Sequence, residues 1–141
     1  MVAQERGKTR VLFARSALDG HDRGVINVIS RCRDEGMEVV YIYFYDPKEV
    51  VIAAAQENVD VIGITSSIGQ HLYVISELKK YLEEEKLDIP VIIGGVIPTV
   101  DVPKLLEMRV KRVFGPGSTP IEVVDLISKL KGERQEALSE Q

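Results

Sequence analysis

Four apolar runs, "RVLFA" (10–14), "EVVYIYF" (38–44), "DVIGIT" (60–65) and "PVIIGG" (90–95), constrain this chain more than any other feature in it. Near-continuous Val and Ile without polar alternation is the pattern of strands covered on both faces, as in a parallel sheet between two helical layers. A shorter run, "RVF" (112–114), supplies a fifth strand. Between the runs, apolar residues recur at helical spacing: Val25, Ile29 and Cys32, then Leu72, Ile75, Leu78 and Leu82, then Val123, Ile127 and Leu130. Each stripe gives a helix one face to lay on the sheet. "DPKE" (46–49) and "TPIE" (119–122) mark two helix starts, each with a capping residue, a proline whose missing N–H is no loss there, and a glutamate three residues after the cap.

Strand then helix, five times over, predicts an α/β fold: a doubly wound, five-stranded parallel sheet in three αβα layers, because parallel strands need right-handed crossovers. The expected strand order is flavodoxin-like, 2-1-3-4-5. The domain is expected over residues 10–131, after an N-terminal extension (1–9) and before a polar, fraying, flexible C-terminal tail, "GERQEALSEQ" (132–141). At 141 residues and 45% hydrophobic, the chain is the size of one ordinary domain. Its net charge of −4 shows no basic excess to neutralise phosphates, which argues against nucleic acid as a partner. No apolar stretch reaches the ~20 residues that span a bilayer, and "MVAQERGKTR" lacks the apolar region of a signal peptide, so the expectation is a soluble, cytoplasmic protein with no membrane role. The single cysteine, Cys32, falls on a helix stripe and reads as core.

Open α/β sheets bind ligands beyond the carboxyl ends of their strands, near the point where strand order reverses. The loops that form this edge are "RSALDGHDRG" (15–24), "YDPKE" (45–49), "SSIGQH" (66–71), "GGVIPTVD" (94–101) and "GPGSTP" (115–120). Glycine, serine, threonine and both histidines of the chain concentrate there. The turns at the other edge, such as "RDEGME" and "EEEKLDIP", are charged and of the ordinary solvated kind. Familiar nucleotide signatures are absent: "DGHDRG" does not supply the three glycines of a dinucleotide fingerprint, and no Gly-Lys-Ser or Gly-Lys-Thr ends a loop. A phosphoacceptor receiver of this fold calls for an aspartate ending the third strand, where this chain has "GITSS".

His21 lies two residues after Asp19, close enough for the carboxylate to accept a hydrogen bond from one ring nitrogen and leave the other free. Histidine ligands of metals are commonly oriented and made more basic in this way. Two histidines without a cysteine pair cannot complete a structural zinc site, so a ligand at His21 would supply one bond to a metal held by something else.

Asp19, His21 and Gly24 in "DGHDRG" match the Asp-any-His-any-any-Gly signature of cobalamin-binding domains. With "GGVIP" (94–98) and "FGPG" (114–117) at the corresponding places, residues 10–131 resemble the cobalamin-binding portion of methylmalonyl-CoA mutase and related acyl-CoA mutases. The resemblance implies adenosylcobalamin as cofactor, with His21 replacing the cofactor's benzimidazole as the lower cobalt ligand and Asp19 and His21 as the catalytic pair. It implies cofactor contacts from Asp19, Gly20, His21, Asp22, Arg23, Gly24, Thr65, Ser66, Ser67, Gly94, Gly95, Gly115, Gly117 and Ser118. The displaced benzimidazole tail would enter a slot beside the sheet, where Gly94 and Gly95 either allow close approach or simply form a tight turn. Gly115 and Gly117 read equally as turn formers, and Ser66 and Ser67 equally as caps of the following helix.

Two positions depart from the family. Its Ser-any-Leu pattern in the third loop becomes Thr65 and Ser67, keeping a hydroxyl and losing an apolar contact. A lysine expected to steady the Asp–His pair is replaced by Arg15, which keeps the charge and alters its reach, unless it is a plain surface residue. His71 matches a histidine of some acyl-CoA mutases and is expected on the helix surface or at the cofactor's edge. Tyr43, Phe44 and Tyr45 either border the corrin or belong to the core.

The function implied is that of the cobalamin-binding small subunit of an adenosylcobalamin-dependent acyl-CoA mutase, with methylmalonyl-CoA mutase the first expectation. Substrate would then bind in a separate large subunit, since the acyl-CoA-binding barrel needs about 250 residues. The competing reading is a non-catalytic corrinoid carrier or cobalamin sensor. Such proteins usually place a helical module before this domain, where only about nine residues precede the first strand here.

Overall fold

The computed structural model describes residues 7–139. In chain order it contains β1 (Arg10–Ser16), α1 (Arg23–Asp34), β2 (Glu38–Phe44), α2 (Pro47–Glu57), β3 (Val61–Ser66), α3 (His71–Glu84), β4 (Val91–Gly95), a 3₁₀ turn (Thr99–Asp101), α4 (Val102–Glu107), β5 (Arg112–Phe114) and α5 (Pro120–Ser139). All five strands are parallel, in the order β2-β1-β3-β4-β5. The order reverses between β1 and β3, which places the carboxyl ends of these strands at the topological switch point.

The sheet divides the apolar residues between two cores because successive side chains of a strand point to opposite faces. Leu12 and Ala14 of β1, Ile62 and Ile64 of β3, and Val91 and Ile93 of β4 pack against Val50, Val51 and Ala54 of α2, Ile75, Leu78 and Leu82 of α3, and Leu105 of α4. Val11 and Phe13, Val61 and Ile92 take the other side, beneath Val25, Ile29 and Cys32 of α1 and Val123, Val124, Ile127 and Leu130 of α5. The helix stripes of the sequence are thus the buried faces, and two-sided burial explains the unbroken apolar runs of β1, β3 and β4; β2, read from its apolar run as covered on both faces, is an edge strand whose residues 38–43 stay partly exposed.

The capping box before α2 forms: Lys48 N–H donates to Asp46 Oδ1 at 2.9 Å, while Glu49 Oε1 accepts from the backbone of Tyr45 at 2.8 Å and of Asp46 at 3.5 Å. Before α5, Glu122 Oε2 accepts from Thr119 N–H at 3.2 Å.

Another expectation needs correction. The segment expected to fray after residue 131 continues α5 as far as Ser139, with residues 140 and 141 outside the described range. Glu, Arg, Gln, Ala and Leu are good helix formers, enough to carry the helix through Gly132. The last turns are also anchored. Arg134 donates to the carbonyls of Asp88 and Val59, both at 3.2 Å, and the buried Lys131 donates to Asp60 Oδ2 at 3.0 Å and Lys8 O at 2.9 Å. Polar composition concealed these anchors because the groups that receive them are mostly backbone. Of the expected N-terminal extension, residues 1–6 lie outside the described residues.

Candidate functional site

After β1 the chain turns sharply, with Ala17 N–H donating to Phe44 O at 2.8 Å and Asp19 N–H to Ser16 O at 3.0 Å. The turn drives Asp19 inward until only 1% of it is exposed. Its carboxylate is fully engaged: Oδ1 accepts from His21 N–H at 3.0 Å and from His21 Nδ1 at 2.9 Å, and Oδ2 accepts from Ser67 N–H at 2.7 Å. Burial alone would raise its pKa, but the bonds from the backbone and ring of His21 and from Ser67 outweigh that, and the carboxyl is held below its usual range.

An ionised carboxylate only accepts, so Nδ1 of His21 carries a hydrogen and Nε2 is the nitrogen turned away from Asp19. That nitrogen has no partner among the described residues, and the His21 side chain is 73% exposed. His71 is tied the opposite way. Its Nε2 donates to Asp101 Oδ2 at 2.7 Å, and its Nδ1 is buried without a partner. His71 is 3% exposed, which corrects the expectation of a helix-surface or cofactor-edge position. Of the two rings, only His21 can offer a nitrogen to an external group.

His21 stands at the mouth of a cleft of about 510 Å³ that runs between α1 and α5 over the carboxyl half of the sheet. Its lining brings together Gly20, His21, Asp22, Arg23 and Gly24 from the first loop, Thr65 and Ser67 from the third, Gly94 and Gly95 from the fourth, and Gly115 and Ser118 from the fifth. Three of the residues singled out in the sequence lie outside the lining: Asp19 sits beneath it, Ser66 is buried in β3, and Gly117, at φ +90°, shapes its turn. Neither Ser66 nor Ser67 caps α3, whose N-cap is Gln70.

The glycines of the fourth loop have separate duties. A Cβ on Gly95, at φ +119°, would lie 2.1 Å from Ser66 O, so the neighbouring strand itself demands glycine there. Gly94 would meet only ordinary contacts, at 3.5 Å and beyond, and its bare backbone leaves the cleft floor low. The apolar walls, Phe13, Val25, Val28, Ile92, Phe114 and Val123, were not picked out from the sequence as site residues. Their only signal was apolar type at strand or helix spacing, which core residues share.

Arg15 is buried rather than on the surface. Its guanidinium lies 4.2 Å from the centre of the Tyr43 ring, Nε donates to Tyr41 Oη at 3.1 Å, and Nη2 is 3.7 Å from Asp22 Oδ2. The cation therefore braces the first loop through Asp22, while Asp19 relies on backbone and ring N–H groups. Phe44 is core, whereas Tyr43 and Tyr45 are exposed at the rim.

Among the described residues no cluster of three or more His, Cys, Asp or Glu is placed to hold a metal ion. An accessible imidazole nitrogen beside an apolar, glycine-floored cleft is suited to give one bond to a metal that arrives with its own organic ligand.

The B12-binding domain model matches residues 9–125. The chain belongs to this B12-binding family. It is 40% identical over 127 residues to the 2-hydroxyisobutanoyl-CoA mutase small subunit of Aquincola tertiaricarbonis, covering 89% of this chain and 93% of that one. It is 38% identical over 129 residues to the pivalyl-CoA mutase small subunit of Xanthobacter autotrophicus, covering 91% and 86%. Against the mitochondrial methylmalonyl-CoA mutase of Homo sapiens the identity is 34% over 141 residues, and the match covers 96% of this chain and 19% of that much longer protein.

Among solved structures, the B12-binding domain described here superposes on a cobalamin-binding protein from Desulfitobacterium hafniense with a TM-score of 0.73 at 21% identity, covering 87% of this chain and 59% of that one. A signal receiver domain from Vibrio parahaemolyticus gives 0.71 at 12% identity, with 95% and 98% covered. These likenesses concern the fold alone. Among the described residues no helix is long and apolar enough to cross a membrane.

Proposed function

We propose that this chain is the cobalamin-binding small subunit of an adenosylcobalamin-dependent acyl-CoA mutase, with His21 giving the lower ligand to cobalt. The observation that carries this reading is the His21 ring itself: Nδ1 is locked to a buried carboxylate at 2.9 Å and Nε2 is presented, free, at the mouth of a cleft. Asp19 fixes the tautomer and orientation of the ring and raises the donor strength of Nε2.

The cleft volume, about 510 Å³, falls within the range of small-molecule sites, and its Phe13, Ile92 and Phe114 walls suit the flat benzimidazole of a displaced nucleotide tail. Thr65, Ser67 and Ser118 would supply polar contacts to that tail, and Gly94 the low floor. Bound there, adenosylcobalamin supplies the radical that begins a carbon-skeleton rearrangement; the protein's share is ligation, orientation and cover.

Substrate binding is assigned to a separate large subunit. Exposed apolar side chains gather at the cofactor rim: Leu18, Tyr45, Ile68, Val96 and Val100 all stand in loops that leave the carboxyl ends of strands. A capping partner would cover them. The small subunits of the 2-hydroxyisobutanoyl-CoA and pivalyl-CoA mutases are the relatives whose length this chain matches, so a two-chain enzyme is the arrangement favoured. A cytoplasmic location belongs to the same reading and is supported by the single, buried, unpaired cysteine.

The test is the absorption spectrum of hydroxocobalamin titrated with the purified chain. The expected result is a base-off, histidine-on spectrum that His21→Ala abolishes. Binding with the benzimidazole still on cobalt, or an unchanged spectrum with His21→Ala, would overturn the assignment.

A further inference from the structure

The second histidine is buried at the junction of two rim loops. His71 is the first residue of α3, directly after the β3 loop, and Asp101 ends the 3₁₀ turn of the β4 loop. Their bond of 2.7 Å therefore joins segments thirty residues apart. Asp101 is the N-cap of α4 yet makes no capping bond. An aspartate at that place ordinarily accepts a bond from its own helix. Here the carboxylate is given to His71 through Oδ2 and to Lys104 through Oδ1, the latter at 3.6 Å.

The arrangement is not what stability alone would select. The His71 ring is buried while Asp101 stays partly exposed beside Lys104, so the pair gains only the modest net worth of one charged hydrogen bond, and the unpartnered, buried Nδ1 adds a desolvation penalty. What the pair does is fix position. The β4 loop is held to β3 at its base, where Val96 N–H donates to Ser66 O at 3.0 Å beside the tight Gly95 contact. It is held to α3 at its far end by His71. Between these two points the chain buries Ile97 and holds Val96 and Val100 outward on the rim, in direct continuation of the Gly94–Gly95 floor of the cleft.

We infer that His71 is a positioning residue for cobalamin: acting through Asp101, it holds the Val96–Asp101 segment at the height required by a cofactor seated on His21. This inference rests on the function proposed above. It assigns His71 no contact with the reacting groups, and it makes residues 96–101 a fixed segment of the rim, continuous with the Gly94 and Gly95 that line the cleft, rather than a closing flap.

The test compares the wild-type chain with His71→Leu/Asp101→Leu, Asp101→Ala and Asp101→Asn. It measures urea unfolding, amide hydrogen exchange and affinity for hydroxocobalamin. The double variant is expected to keep global stability, to exchange the amides of residues 96–101 faster, and to bind hydroxocobalamin about three- to thirtyfold more weakly, the span expected of a residue that couples to a site without touching it. Asp101→Ala should weaken binding likewise, and Asp101→Asn, which keeps an acceptor for Nε2–H, should restore it. Wild-type affinity in both the double and the alanine variant would overturn the positioning role alone. If the double variant does not fold, the alanine and asparagine variants decide, and equal affinity in those two overturns the role. A wild-type chain that fails to bind hydroxocobalamin would instead overturn the functional reading, and this inference with it.

Discussion

Replacing Gly95 by alanine tests whether the junction of β3 and β4 is as tight as it looks. The new Cβ would stand 2.1 Å from Ser66 O, 2.9 Å from Ser66 C and 3.0 Å from Ser66 N, all backbone atoms that cannot rotate away. Relief requires the two strands to part by about an ångström, which strains the Ser66–Gly95 pairing and the Val96 N–H bond to Ser66 O. Each such bond contributes about 1 kcal/mol. The backbone at φ +119° adds about 1–3 kcal/mol for any residue with a Cβ. Together these give a loss of about 3 kcal/mol or more, equivalent to a urea midpoint lower by about 1.5 M at a slope of about 2 kcal/mol/M. Gly115→Ala is the control, since its Cβ meets nothing within 4 Å, and it should stay within about 0.5 kcal/mol of wild type. A Gly95→Ala midpoint within about 0.3 M of wild type would refute the close approach.

Gly63→Ala should displace the Phe13 ring, whose Cδ1 and Cε1 would each lie 2.6 Å from the new methyl; because the ring borders the cleft it can move there, so overpacking should cost only about 1 kcal/mol while hydroxocobalamin binds more weakly, as calorimetry would show. Asp19 has a carboxyl pKa below the ordinary ~3.9, so its contribution is complete above that value and lost as pH falls through the lower folded one. Urea midpoints measured from pH 7 to pH 2.5 should accordingly show Asp19→Asn less stable at neutral pH, with the gap to wild type closing in acid. Cys32, fully buried with its thiol pushed up to about 11, should resist a disulfide reagent at pH 8 and react only as urea unfolds the chain; fast labelling of the native protein would contradict its place on the buried face of α1.

The parallel sheet was legible because strand–helix alternation requires crossovers and because two-sided burial leaves unbroken apolar runs in β1, β3 and β4, and the loop residues that line the cleft were legible because backbone approach and polar contacts select glycine, serine and histidine. The apolar walls of the cleft were not. Phe13, Ile92 and Val123 obey the same periodicity as the residues of the core beside them, and only the gap between α1 and α5 distinguishes them. His71 misled for the converse reason: a polar residue opening a helix reads as solvated until the loop that covers it is placed. Arg15 kept its charge in the sequence, yet which carboxylate it would reach depended on the exit angle of the first loop, and it turned to Asp22.

The placement of α5 bears on how this domain can be wired into larger proteins. Its first turn walls the cleft, and its twenty residues carry the chain about 30 Å to the edge where Arg134 grips the carbonyls that precede β3 and β4. Arg10 enters β1 at that same far edge, its N–H bonded to Asp60. A linker attached at either side would therefore leave from the base, with the histidine mouth unobstructed. The described chain thus enters and leaves the sheet on the side away from His21, so an attachment at residue 10 or beyond residue 134 adds nothing over the cleft.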